Sequence, residues 1–166
     1  MKLDEAKLRF IEAWGTLGSN WGINRTMAQV HALLLISPES LSTDDVMEKL
    51  NISRGNANMN LRDLIDWGLV KKQLKPGERK EFFLAEKHIW TVFIRIARER
   101  KRRELEPIFN VLEDLQTVEG DDKDTKSFIK MIGDIQNFSK RADKTLDTMI
   151  KADENKFMSA VIKLLT

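Results

Sequence analysis

The chain has 166 residues, with 28 Lys or Arg against 26 Asp or Glu and no cysteine. That length fits one domain, or one domain with an appendage, and the missing cysteines exclude disulfides, thiolate metal sites and a cysteine nucleophile. No run of about 18 apolar residues occurs, so no membrane span is expected, and a net charge of +2 says nothing about nucleic acid until its distribution is known.

The opening MKLDEAKLRF lacks the apolar core of a signal peptide, so a soluble, cytoplasmic protein is the expectation. Leu3, Ala6, Phe10, Ala13 and Leu17 recur at heptad-like spacing and predict an amphipathic helix over 2–18. Gly15, Gly18 and Gly22 are expected to loosen the chain after it. Asn24 should cap a helix over 25–36 that turns Met27, Val30 and Leu34 inward. His31 is read as a satisfied, partly buried histidine. Ser37-Pro38-Glu39-Ser40 breaks that helix.

Residues 41–84 carry the densest signals. Ser42 followed by Asp45 is a capping box, with Val46, Met47 and Leu50 at helical spacing behind it. Asn51 tolerates the left-handed conformation that ends helices. Ile52 should plug the turn into the core, and Ser53 should cap a second helix over 54–67. At about 100° per residue, Ala57, Asn60, Leu61, Leu64 and Trp67 share one side of that helix. Gly55, Asn58, Met59 and Arg62 share the other, with Arg54 and Asn56 at the open end. Its first turn has no carboxylate, although the helix dipole favours one there. A DNA-reading helix needs such a surface: close backbone approach, donors for base edges, and no anion facing phosphate. A polar, solvated helix face is the plainer alternative.

Gly68 should end the helix, and Lys75-Pro76-Gly77-Glu78 suits a type II turn between two short runs, 69–74 and 80–84. Residues 53–80 hold seven Lys or Arg against three Asp or Glu. A basic hairpin placed there is a wing. These features resemble the winged helix-turn-helix regulators of the MarR superfamily, most nearly the GbsR-like branch. The resemblance rests on Leu41-Ser42, Ile52-Ser53-Arg54-Gly55, Asn60 to Leu64, Trp67 to Val70 and Pro76 to Arg79, and runs over about residues 10–110.

A long helix is expected from near Ala85, with Ile89, Trp90, Val92, Phe93, Ile94, Ile96 and Ala97 buried. Residues 95–103 then hold six Lys or Arg against one Glu. A second phosphate-contacting surface is one reading; a solvated face balanced by nearby Glu is the preferred one. Pro107 predicts a kink or break near 105–107, and 118–122 a loop. Phe128, Met131, Ile135, Phe138, Ala142, Thr145 and Met149 form a second heptad stripe. Ala152-Asp153 should break that helix before a last apolar face at Phe157, Val161, Leu164 and Leu165.

The fold predicted is mainly α: a three-helix head with a β-hairpin wing, flanked by N- and C-terminal dimerisation helices. The domains are 1–22 (N-terminal helix), 23–86 (winged head) and 87–166 (C-terminal helices). The predicted DNA-binding residues are Ser42, Thr43, Ser53, Arg54, Gly55, Asn56, Asn58, Met59, Arg62, Lys75, Arg79 and Lys80. Leu3, Ala6, Phe10, Phe128, Met131, Ile135, Phe138, Ala142 and Met149 are the predicted dimer contacts. With two histidines far apart and no nucleophile or phosphate-loop motif, an enzyme is not expected, nor a metal or cofactor. The resemblance implies a homodimeric transcriptional regulator, more a repressor than an activator, on a pseudo-palindromic duplex operator. The alternative is a winged helix used only for protein–protein interaction. Some GbsR-like regulators respond to choline or related osmolytes, and aromatic cages bind quaternary ammonium ions. Trp14, Trp21 and Trp90 are therefore the candidate effector walls, although core packing is the preferred reading of all four tryptophans.

Overall fold

The computed structural model describes residues 1–152, Ser159 and Lys163. The chain divides into two compact units, Met1–Arg95 and a second beginning at Ile96. The predicted face at 157–165 lies outside the described residues.

The first unit opens with α1 (Leu3–Asn20), which packs on α2 (Arg25–Ile36). Ile11, Gly15 and Gly18 form the buried face of α1. A Cβ on Gly15 would stand 2.7 Å from Gln29 Cγ, and one on Gly18 would stand 2.6 Å from the Cβ of Ala28. These glycines do not loosen the chain, as their sequence suggested. They sit inside a continuous helix and let two helices touch where no side chain fits. Gly22, at φ +76°, takes the turn that follows. The stripe of Leu3, Ala13 and Leu17 stays exposed, while Ala6 and Phe10 are half-buried.

Asn24 caps α2 by accepting from the Met27 amide at 3.1 Å. This helix is the centre of the first unit, burying Met27, Ala28, Val30, His31, Ala32, Leu33 and Leu34. Its C-terminal carbonyls have no intrahelical donors, and Lys87 supplies them. The Lys87 ammonium donates to the carbonyl oxygens of Leu34, Leu35 and Ser37, each at 2.7 Å. Burial lowers the Lys87 pKa, while the carbonyl end of the helix favours a cation there.

α3 (Thr43–Leu50) begins with the predicted capping box, and Asn51 ends it at φ 50°, ψ 50°. α4 (Arg54–Asp66) starts from the Ser53 cap and ends in a Schellman motif. Leu69 N donates to Leu64 O and Gly68 N to Ile65 O, with Gly68 at φ +71°. Ala57, Asn60, Leu61 and Leu64 are buried, as the periodicity predicts. Ile52, expected to plug the turn, is half-buried.

The wing strands are β2 (Val70–Gln73) and β3 (Phe82–Ala85). A third strand, β1 (Leu41–Ser42), extends the sheet in the order β1-β3-β2 and pairs Leu41 with Phe83 and Ser42 with Phe82. Two residues are too short to show strand alternation, so sequence reasoning missed it. Ala85 is the last residue of β3, paired with Val70. α5 (Ile89–Arg100) therefore starts later than predicted. Its first turns are also less buried than expected. Val92 is buried, but Ile89 and Phe93 are exposed and Trp90 is half-buried.

In the second unit the helix passes through a π-helical turn, Lys101–Leu105, closed by the Glu106 amide on the Lys101 carbonyl. α6 (Glu106–Leu115) follows with Pro107 in its first turn, where a missing N–H costs least. The predicted break takes this form. α7 (Lys123–Lys151) is capped by Asp122 and ends at extended Ala152. Two interleaved stripes run along α7. Ile132 is buried against its own unit, and Ile129, Gln136, Ser139, Asp143, Leu146 and Ile150 are half-buried. The predicted stripe lies on the other side: Phe128, Met131, Ile135 and Phe138 are all exposed, Phe138 to 72%. Ala142 and Met149 are half-buried and Thr145 is exposed. Among the described residues no helix is long and apolar enough to cross a membrane.

Candidate nucleic-acid interface

The start of α4 is held by a small polar network. Ser53 Oγ accepts from the Asn56 amide at 3.3 Å. Asn60, fully buried, donates its side-chain amide to the backbone carbonyl of Asn56 at 2.8 Å and to Asn56 Oδ1 at 2.7 Å. Asn56 is thus fixed from within the helix. On the outer side, Gly55 meets nothing: a Cβ built there finds no heavy atom within 4 Å. Packing inside this chain does not require glycine at that position, whereas close approach of another backbone favours it. Met59 and Arg62 are exposed beside it. Asn58 is half-buried and accepts from the Thr43 hydroxyl at 3.3 Å, so its orientation is tied to the start of α3.

Ser42 does not belong to this surface. It is buried, its amide and hydroxyl both donate to Asp45 Oδ2, at 2.7 and 2.6 Å, and its oxygen accepts from the Asp45 amide. These bonds hold the Asp45 carboxyl below its usual range. The prediction of Ser42 as a DNA contact is corrected: it is a cap.

The wing lies beside this helix. The turn is closed by the Glu78 amide on the Lys75 carbonyl at 3.1 Å, with Gly77 at φ +80° as a type II turn requires. Lys75 lies over the Phe82 ring, its nitrogen 4.2 Å from the centroid. Lys72 pairs with Glu81 at 2.8 Å. Arg79 is exposed and, like Arg62, has no ion pair among the described residues. A cleft of about 160 Å³ between α4 and the wing is lined by Asn58, Leu61, Arg62, Ile65, Lys72, Glu81 and Phe83.

Sequence reasoning missed Asp44. It sits in the first turn of α3, and its two oxygens bind cations from two other elements. Arg54 Nη2 lies 2.5 Å from Oδ1, and Lys80 Nζ lies 2.9 Å from Oδ2. Lys80, then Arg54, holds the Asp44 carboxyl below the usual carboxylate range, and Asp44 raises the Lys80 pKa. No local pattern links residues 44, 54 and 80, so only the fold reveals the bridge.

The basic stretch 95–103 is largely neutralised. Arg95 pairs with Glu86 at 3.3 Å and donates to the Gly68 carbonyl. Arg100 pairs with Glu104, and Arg102 and Arg103 both pair with Glu99. Lys101 lies 2.5 Å from Asp147 and 3.1 Å from Asp143. The balanced-face reading holds for this stretch.

The tryptophans take separate positions. Trp14 packs on Phe10 and His31, with ring centroids 5.5 and 6.2 Å apart, and Trp90 packs on Phe93 at 5.6 Å. Trp21 is exposed and Trp67 half-buried. His31 is more buried than its sequence suggested, at 2% exposure, and its Nε2 has no hydrogen-bond partner among the described residues. Burial, then the Lys87 charge, lowers its pKa to about 4.

Residues 21–81 match the model of the MarR family. The HTH-type transcriptional repressor GbsR of Bacillus subtilis (strain 168) is 26% identical over 114 residues, covering 69% of this chain and 63% of that repressor. The chain therefore matches less than two thirds of that relative's length. A crystal structure of a transcriptional regulator shares the fold, with a TM-score of 0.66 at 18% identity over 87% of this chain and 95% of the other. Residues 21–81, with their capped helix pair and three-stranded sheet, fold as a winged helix-turn-helix head, and this is the segment that resembles the MarR family.

Proposed function

We propose that this chain is a transcriptional repressor that binds a pseudo-palindromic operator as a homodimer. The observation that carries the proposal is the outer face of α4 beside the wing. Gly55 leaves room for a close backbone, Asn58 and Arg62 offer donors, and no carboxylate stands in the first turn of the helix. Asn58 is the proposed base reader, since Asn pairs bidentately with adenine. Arg62 and Arg79, both without ion pairs among the described residues, are the proposed phosphate contacts. Dimerisation is supported by the two exposed apolar stripes, on α1 and on α7. Two-fold symmetry then sets the half-sites about one helical turn apart, roughly 34 Å, or a multiple of that. The similarity to GbsR supports the sign of regulation.

A protein-interaction module is the second reading. It is favoured by the pairing of Arg54, Lys72 and Lys80 with carboxylates of their own chain. Selection of duplexes from a randomised pool, followed by binding at several salt concentrations, separates the two. Salt-dependent binding is expected, and replacing Asn58 with Ala should lower discrimination between selected and random duplex by about 1–3 kcal/mol. Absence of duplex binding at low salt would favour the protein-interaction module.

A further inference from the structure

A protein-supplied anion already occupies the place where the proposed interface would receive phosphate. Asp44 is 41% exposed, yet both of its oxygens are taken, one by the first residue of the reading helix and one by the wing. Its position in the first turn of α3 suits a carboxylate, because the free amides there carry partial positive charge. The neighbouring Asp45 is committed to the capping box and cannot substitute for it. A DNA phosphate that claimed Arg54 or Lys80 would have to displace Asp44 or lie beside it.

We propose that Asp44 is a built-in competitor for the DNA backbone, which withholds Arg54 and Lys80 from sequence-independent contacts and so sets the specificity of the head. Two cations close to the reading helix would otherwise attract any duplex. With Asp44 engaged, random DNA gains little from them. An operator whose bases satisfy Asn58, with Arg62 and Arg79 on its phosphates, holds the head long enough for phosphate to compete. The same bridge ties the wing to the start of α4, so Asp44 fixes their spacing in the free protein.

This inference rests on the DNA-binding reading, and the test separates the two. Wild-type full-length chain and the Asp44→Asn variant are titrated with a mixed-sequence duplex of roughly 30 base pairs, about three helical turns, and with the best duplex from a randomised pool. Asp44→Asn should bind the mixed duplex about 3–10-fold more tightly near 0.1 M salt. Its log–log salt slope should steepen by about one to two, as one or both released cations meet phosphate. The selected duplex should gain less, so the specificity ratio falls. Glu78→Gln removes one negative charge from the wing turn without releasing an ion pair, and its effect should be clearly smaller. If Asp44→Asn perturbs folding, Asp44→Ser, which keeps a residue suited to a helix start, makes the same comparison. Equal or weaker binding of the mixed duplex by the Asp44 variants overturns the proposal, as does an equal gain from Glu78→Gln. A wild type that binds no duplex removes the DNA-binding reading and this inference with it.

Discussion

α4 and α7 carry apolar residues at similar helical spacing, and the fold treats them in opposite ways. On α4 the stripe Ala57, Leu61 and Leu64 is buried within its own unit, and the polar face is left outside. On α7 one stripe packs inward around Ile132, while Phe128, Met131, Ile135 and Phe138 remain open. Periodicity marks a surface that wants burial; it does not name the partner. A helix with one apolar face is satisfied by its own chain. A helix with two leaves one in water, and the second face of α7 is the surface that the proposed dimer would use.

The contrast can be broken most directly by truncating one residue from each helix. Leu64→Ala empties a fully packed site and should lower unfolding stability by about 2–5 kcal/mol. Phe138→Ser should cost below about 0.5 kcal/mol of folding stability, since its ring already faces water, yet weaken self-association. Urea unfolding and sedimentation on the same samples check both. A large folding loss at Phe138, or unchanged association, would mean that its stripe is not an open interface.

A second measurement sharpens the comparison inside the first unit. His31 is buried and held neutral, with a folded pKa near 4 against an unfolded value of 6.5. A depressed histidine pKa means that the unfolded chain binds the proton first. Stability is therefore complete above pH 6.5 and falls as pH drops towards 4, by up to about 3 kcal/mol. His31→Gln, which does not titrate in this range, should flatten that pH dependence in thermal unfolding. An unchanged profile would assign the acid sensitivity to other groups.

Lys87→Met removes the ammonium that closes α2 while keeping most of its length. Three carbonyl oxygens lose their donor. The group is partly exposed and water replaces some of the bonds, so a loss of about 1–2 kcal/mol is expected. Hydrogen exchange should show the change at the last turn of α2 first. Uniform loosening across the unit would argue against a local cap.

How much of this was legible in the sequence depended on the range of the interaction. The Ser42–Asp45 box, left-handed Asn51, the Gly68 motif and the Lys75–Glu78 turn are each closed within about five residues, so local residue type announces them. The burial of Ala57, Asn60, Leu61 and Leu64 followed from periodicity alone. Features that need a distant partner were not legible. Gly15 and Gly18 read as flexible because Gln29 and Ala28, which press on them, lie on another helix. Ile89 and Phe93 read as core because apolarity was taken for burial within the chain. In the candidate site, Asn58 and Arg62 were visible as a polar helix face. The removal of Ser42 and the Asp44 bridge became visible only once the elements were packed.

The two residues of β1 have a mechanical consequence. They hydrogen-bond to β3, and Ser42 is at the same time the cap of α3. The root of the wing and the root of the helix pair are therefore riveted at one point. Bending the wing at its base would tear the cap from α3, so the base transmits force rather than absorbing it. What lies outside the ladder and before the Lys80–Asp44 pair is only the turn from Leu74 to Arg79. A head built this way is hinged nowhere between helix pair and wing root: the angle between them is set once, by a single serine.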